Sequence, residues 1–514
     1  MSNLVHSFSL DAILEEHRRS RPENVASICE GQILTYAQLA DRVIRLANAL
    51  EDAGVGKGDR VLWAGQNHSG ILECLIAAGK LGAMVCPLNW RQTAEEIAFV
   101  IDDLQPKIII WQEREIGDPV KAALASAKHR AAQTLALDAQ GAGSYEHFVT
   151  TGAQQERERV VDANLPALVI YTAAFEGRPN GAMLSQTAIM WQDLEIIDIQ
   201  QMSCETRFLQ CGPLFHIGSF QVFMAIFHIG GTNVFVRRWD TQLVAEAIQE
   251  HRCNRAFIFI QTAQELAKFN ADGRYDLKSV CTASFCPEWD AMATIIPERS
   301  MFGYGQTEVT GLLAWTYYGL GKALGRFGKT GPIAQIRIFD DQGNELPQGE
   351  TGEIVVRGPT VMQGYWNRPE LNAQRHRNGW HRTNDLGRRE ADGSLSFIGP
   401  KALMIKTGVE NVYPAEVEAC LRSHPAVADC GVIGVPDEKW VQSVKAIVCL
   451  KPDQQVSADD LINHCRERIA SYKKPRFIEF ADSIPRLPSG GVDYALLDKN
   501  YGGGGYPGGS TRQH

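Results

Sequence analysis

The sequence lacks the features that would commit it to metal, membrane or nucleic acid. Its twelve cysteines are scattered and include no C-x-x-C pair, which argues against a zinc site or a disulfide framework. No apolar run approaches the ~20 residues of a membrane span, and the N-terminus has no charged region followed by an apolar stretch. The expectation is therefore no membrane span and a reduced, cytoplasmic setting. The formal net charge of -9 comes without long acidic or basic runs, which argues against nucleic acid as a main partner.

One deficit is local. Residues 171–182 read Tyr-Thr-Ala-Ala-Phe-Glu-Gly-Arg-Pro-Asn-Gly-Ala. The apolar run 167–170 predicts a strand leading in; Gly177, Pro179 and Gly181 suggest a turn, and 183–185 the way into a helix. Strand, glycine-bearing loop and helix is how a chain offers backbone N–H groups to phosphate. Yet this stretch has no lysine, a single aliphatic hydroxyl (Thr172), and bulky Phe175 beside acidic Glu176. The architecture suits a nucleotide, while the side chains argue against holding a triphosphate.

What is present is ordinary globular composition, 44% apolar and 22% charged over 514 residues, too long for one core. Helices are expected at 9–19, 37–53, 70–81 and 93–103, alternating with strands at 33–36, 60–64, 84–87 and 108–111. The rhythm resumes with helices at 186–198, 218–228 and 241–251 and strands at 207–211, 232–236 and 256–259. Alternation of this kind predicts an α/β fold with mostly parallel sheets flanked by helices. Residues 325–398 turn Gly-rich and hairpin-like, and a smaller α+β unit begins near 400.

Five stretches carry a resemblance. Tyr304-Gly305-Gln306-Thr307-Glu308 resembles the YG-x-TE signature of the adenylate-forming superfamily, which includes acyl-CoA synthetases, luciferases and peptide-synthetase adenylation domains. Pro213-Leu214-Phe215-His216 looks like its PLFH stretch. Residues 352–370 are similar to its GE-I-x-V-RG…GYW-x-x-PE region, Trp380 to Gly387 to its W-x-x-TGD-x-G, and Glu410 to Glu418 to its EN-x-YP-x-EVE. The motifs fall in the family order across residues 10 to 497.

The resemblance implies a large multi-subdomain N-terminal domain (1–398) with a β-rich part, and a small mobile C-terminal domain (399–500). A Gly-rich, flexible tail (501–514) follows. It implies two half-reactions, acid plus ATP giving acyl-adenylate and pyrophosphate, then CoA attack giving acyl-CoA and AMP. It implies catalytic roles for His216, Thr307 and Glu308, the last linked to Mg²⁺ when ATP is used, and no metal site of the protein's own. Nucleotide contacts are expected from Thr172, Ser284, Phe285, Gly303, Tyr304, Gly305, Gln306, Thr307 and Asp385. The acyl pocket is expected near Trp191, Phe215, Phe220, Ala283, Thr310 and Gly311. Hinge and CoA positions are Leu403, Gly408, Val409, Glu410, Lys473 and Lys474, though the two lysines also read as a solvated helix end.

The departures from the family pattern concentrate on one half-reaction. Ala173, Ala174, Phe175, Glu176 and Asn180 stand where the phosphate loop has Ser, Gly, Thr, Thr and Lys, and Gly491 replaces the lysine of P-x-x-x-x-GK. Adenylation gathers negative charge and depends on cations and fixed donors, each worth roughly 10² to 10³ in rate. Thioesterification starts from a mixed anhydride, so positioning the thiol supplies most of the catalysis. Val409 counts against even that half, because a β-branched residue replaces a glycine near the pantetheine path.

The reading is a ligase that joins CoA to a preformed acyl-adenylate supplied by a separate adenylating ligase. The division resembles branches of the superfamily in secondary metabolism and antibiotic biosynthesis, and suggests a bulky acid. Two alternatives stay open: a complete ATP-dependent ligase in which Arg178 or Lys401 substitutes for the lost lysine, and an inactive adenylate-binding paralogue. A luciferase-type oxidative second step is formally allowed and selected by nothing in the residues.

Overall fold

The computed structural model describes residues 6–172, 178–296, 301–317, 325, 327–401, 403–408, 410–487 and 491–505. Two mainly parallel sheets share one apolar core. The first runs in the order Gly364–Tyr365, Asn180–Ser185, Pro166–Thr172, Met84–Pro87, Arg60–Ala64, Ile108–Trp111, Gln133–Ala136. Its last five strands are parallel and its first two antiparallel. The second is ordered Arg255–Ala256, Arg207–Gln210, Thr232–Phe235, Val25–Cys29, Gln32–Thr35, with only the last strand antiparallel. Short crossover helices explain the parallel order. In helix Tyr36–Asp52, Thr35 and Gln38 cap each other's backbone N–H, and Leu39, Val43, Leu46 and Leu50 are buried. Helix Ile217–Ile229 is apolar nearly all round and puts Phe220, Phe223 and Phe227 into the core between the sheets, as a helix wrapped by other elements should.

A β-rich part follows. Strands Met301–Gln306 and Gly311–Tyr317 form a hairpin interrupted by a 3-10 turn at Thr307–Val309. An antiparallel sheet then pairs Gln335–Phe339, Gly352–Arg357, Trp380–Arg389 and Leu395–Pro400. The expected division at 398/399 falls inside that last strand. The C-terminal part is α+β: strands Glu410–Val412, Ile405–Thr407, Val441–Leu450 and Val427–Asp437 are antiparallel neighbours, and helices Pro414–Arg422 and Ala458–Arg468 pack on them. Of the tail, only 501–505 belong to the described residues. Among the described residues no helix is long and apolar enough to cross a membrane.

Two sequence expectations are corrected. Residues 183–185 do lead into a helix, but as the end of a strand and not as a turn that opens on it. They belong to strand Asn180–Ser185, which pairs antiparallel with Pro166–Thr172, Tyr171 opposite Gly181 and Thr172 opposite Asn180. The helix starts only at Gln186, capped by Ser185. The pairing depends on Gly181, because a Cβ there would meet Val169 Cγ1 at 2.8 Å. The stretch is thus a β-hairpin, with no helix N-terminus aimed at a phosphate. The strand expected at 256–259 is only Arg255–Ala256, since Phe259 already caps helix Ile260–Phe269.

Candidate active site

A cavity of ≈ 620 Å³ opens where the parallel sheet, the 301–311 hairpin and the C-terminal part converge. Its position outside the C-terminal ends of parallel strands is the usual one for open α/β sheets. Thr172, Phe215, His216, Gly303, Tyr304, Gly305, Gln306, Thr307, Glu308, Asp385, Glu410 and Lys473 all reach its wall.

On one side, Tyr304 Oη donates to Asp385 Oδ2 at 2.8 Å, and Gln306 Nε2 donates to the same oxygen at 3.0 Å. The Tyr304 ring lies 5.6 Å from that of Phe397, leaving an aromatic surface beside a carboxylate. Burial pushes the Asp385 carboxyl up to about 7, against the pull of the Tyr304 hydrogen bond. Glu308, in the 3-10 turn, accepts from Tyr365 Oη at 2.8 Å. Burial raises it above the usual carboxylate range despite that bond. The turn is held by left-handed Thr310 (φ 65) and Gly311 (φ 136); Thr310 Oγ1 donates to Thr360 O at 2.6 Å.

On the other side, His216 sits at the N-cap position of helix Ile217–Ile229. Its Nε2 is 3.1 Å from Glu410 Oε1, and Arg91 Nη1 donates to the same oxygen at 2.6 Å. Burial alone would raise Glu410, but the hydrogen bond and charge of His216, with Arg91 and Lys406, hold it below its ordinary range. The Arg91 guanidinium lies over the rings of Trp90 and Phe215, 5.2 and 5.6 Å from their centres. Lys473 is neither solvated nor free for a phosphate. Its Nζ bridges Glu96 Oε1 at 2.7 Å and Glu416 Oε1 at 2.5 Å, and it is 4% exposed. Asn89 Nδ2 also reaches Tyr472 Oη at 3.4 Å, and Thr93 Oγ1 donates to Arg468 O at 3.0 Å. Segment 89–96 thereby joins the C-terminal part at four points.

Other expected residues lie elsewhere. Trp191 is 45% exposed and faces a separate groove with Phe8, Val160 and Leu194, because the inner face of its helix is taken by its neighbours. Phe220 is buried in the core. Ser284 Oγ donates to Asp290 Oδ2 at 2.6 Å, so Ala283, Ser284 and Phe285 lead into helix Pro287–Met292 and are not on the cavity wall. Leu403, Thr310, Gly311 and Gly408 also lie off it; Gly408 (φ 62) packs on Trp440. Lys474 turns back to Ser471 O at 3.0 Å. Ala173, Ala174, Phe175, Glu176 and Val409 lie outside the described residues.

The positions where the family pattern has lysine are informative. Asn180 Oδ1 accepts from Arg368 Nε at 3.0 Å, Arg368 Nη2 bonds Asp103 Oδ1 at 2.8 Å, and Tyr171 Oη donates to Asp103 Oδ2 at 2.7 Å. Gly491 is exposed and off the wall, in a bridge between Arg486 and Val492. Arg178 lies over the Phe99 ring, and Lys401 pairs with Asp341 and Glu353 at 2.8 and 3.2 Å; neither lines the cavity.

Sequence reasoning missed Asn89, Arg91 and Lys406. A signal existed for the first two, since they follow strand Met84–Pro87 at the binding end of the sheet. For Lys406 the signal was a charge directly after the apolar run Leu403-Met404-Ile405. Its Nζ donates to Asn411 Oδ1 at 2.8 Å, and burial lowers its pKa.

Comparison with known proteins identifies the family. Residues 14–366 match the model of the AMP-binding enzyme family, and residues 416–490 that of the AMP-binding enzyme C-terminal domain. The chain is 33% identical over 494 residues to a feruloyl-CoA synthase of Amycolatopsis sp, covering 94% of this chain and 98% of that one. It is 32% identical over 504 residues to the indoleacetate–CoA ligase of Aromatoleum aromaticum, covering 93% and 95%. Among solved structures, o-succinylbenzoate CoA synthetase of Bacillus subtilis, bound to a product analogue, superposes with a TM-score of 0.80 at 27% identity over 95% of this chain and 98% of that one.

Proposed function

The chain belongs to the AMP-binding enzymes, the adenylate-forming superfamily of acyl-CoA ligases, and from that premise we propose that its working step is the second half-reaction. CoA and an acyl-adenylate are its substrates. In that step the thiol sulfur attacks the acyl carbonyl carbon, a C–S bond forms, the acyl–phosphate bond breaks, and AMP leaves. Asp385 and Tyr304 would hold ribose and adenine, and Thr307 the α-phosphate. Glu410 orients His216 beside the path of the thiol, where the imidazole is placed to take its proton.

The observation carrying this reading is the contrast in committed charge. The C-terminal part closes on His216 through Glu410 (3.1 Å), while position 491 offers no side chain and lies off the cavity wall. Adenylation, which needs cations against a triphosphate, is taken as lost or very weak. Mg²⁺ accompanies ATP in the family, but the residues here fit it poorly. Glu308 is buried and bonded to Tyr365, and among the described residues no three His, Cys, Asp or Glu side chains gather for a metal. The reading requires a separate adenylating ligase as functional partner. It takes residues 1–398 and 399–500 as the two working domains. The relatives named for ferulate and indoleacetate support a bulky aromatic acid.

A second reading, a complete ATP-dependent ligase, is favoured by Lys406, a half-buried cation on the cavity wall. Mass-spectrometric detection of acyl-CoA separates the two. We expect product from preformed acyl-adenylates and CoA, and little from free acids with ATP and Mg²⁺. Comparable rates from free acids would establish the second reading.

A further inference from the structure

Behind the cavity wall lie polar atoms with nothing to bond. The amide nitrogen and oxygen of Gln192 and both carboxyl oxygens of Glu195 are buried without a hydrogen-bond partner. The two residues are 0% and 4% exposed. They stand three positions apart on helix Gln186–Ile199, so they project from one face. That face meets the strand Gly311–Tyr317 and the chain just past Lys329–Thr330, where the backbone is trimmed. A Cβ on Gly331 would overlap Glu195 Oε1 and the Trp315 ring; one on Gly311 would overlap Gln221 Oε1 and approach Gln192 Cδ to 3.4 Å. Gln221 Oε1 is itself held by Leu312 N at 3.1 Å.

This cluster is one strand from the cavity. Gly311 is the register partner of Gln306, which lines the wall, and Gln221 lies four residues beyond wall residue Ile217 on the same helix. From Thr307, the route along the turn leads past Gly311 to Gln192 and then Glu195. Native interiors leave few polar groups unbonded, and each exception calls for a ligand or water. Burial pushes the Glu195 carboxyl up to about 8, so near neutral pH it both donates and accepts, as the Gln192 amide does.

We propose that Gln192 and Glu195 form a polar end-stop for the acyl group, so that the acids handled carry a hydroxyl or amino group at the end remote from the carboxyl. The proposal rests on the reading that this site takes acyl-adenylates. A site built to hydrogen-bond such a group discriminates against the analogue lacking it far more strongly than an apolar pocket can.

The test uses the full chain and non-hydrolysable acyl-sulfamoyl adenosines in matched pairs, with and without a terminal hydroxyl, across a series of straight-chain lengths and one cinnamoyl/4-hydroxycinnamoyl pair. Affinities are measured by calorimetry on the wild type, Gln192→Leu and Glu195→Leu. We expect at least one pair to favour the hydroxylated member by about tenfold or more. Both leucine variants should erase that preference while binding the unsubstituted partner at least as well. Unsubstituted analogues binding with no preference in any pair would overturn the end-stop and leave the acyl-adenylate reading standing. No binding of any sulfamoyl adenosine would overturn both. A wild-type preference untouched in folded leucine variants would also overturn it, by assigning the two side chains to buried water. Should either leucine variant fail to fold, Gln192→Met and Glu195→Gln take its place, and the wild-type pairs alone still decide.

Discussion

The two sides of the cavity are built to different standards. Around His216 every charge is placed: Glu410 takes both His216 and Arg91 on one oxygen, Arg91 lies over two aromatic rings, and Lys473 fastens Glu96 to Glu416. On the opposite side, among the described residues, Asn180 is turned to Arg368 and Lys401 is tied to Asp341 and Glu353. Catalytic electrostatics work only when donors are fixed before the reaction. The His216 side meets that condition, and this is the contrast on which the proposed second half-reaction rests.

The largest test of this contrast removes the contact that closes the thiol side. Glu410→Ala should slow single-turnover transfer from a preformed adenylate to CoA by roughly 10² to 10³, with AMP affinity nearly unchanged; a wild-type rate would dissolve the comparison. Lys473→Met comes next. It leaves Glu96 and Glu416 as buried like charges, and breaking such a pair costs about 3 kcal/mol. The KM for CoA should rise by roughly 10², and Glu96→Gln in the same chain should recover part of it. On the opposite side, Gly491→Lys should raise pyrophosphate release from acid and ATP by about tenfold. No gain in a folded variant would show that the missing cation is not the block. The smallest effect concerns pH. With the Asp385 carboxyl near 7, the ionised form that accepts from ribose hydroxyls fills in between pH 6 and 8. AMP should bind about threefold more tightly across that window, and Asp385→Asn should flatten the curve. Stability runs the other way. The folded pKa lies above the unfolded value of about 3.9, so Asp385 loses stability as pH rises from ~4 to ~7. The Asn variant should be the more heat-resistant at pH 8.

What the sequence disclosed follows the range of the interactions. Tyr304, Gln306, Thr307 and Glu308 were legible because they form one contiguous motif, although their partners Asp385 and Tyr365 lie 57 to 81 positions away. Asp385 was legible through its own motif. Arg91 and Glu410 are 319 positions apart, and nothing local in either announces the pairing. Successive residues on a helix differ by about 100° in direction, so Trp191 faces outward while its neighbour Gln192 is buried. The strand at 180–185 was not legible as a strand because its apolar residues run straight into helix Gln186–Ile199 without a break. Only the close approach of Gly181 to Val169 settles the matter.

The chain Tyr171–Asp103–Arg368–Asn180 carries a consequence for any lysine placed at 180. Such a lysine would share its surroundings with the Arg368 guanidinium, which lies 3.0 Å from the asparagine oxygen. Its ammonium would meet a cation already in residence. Asn180→Lys alone should therefore lower thermal stability without restoring ATP use. A cation brought to the phosphate hairpin from some other direction would avoid that repulsion.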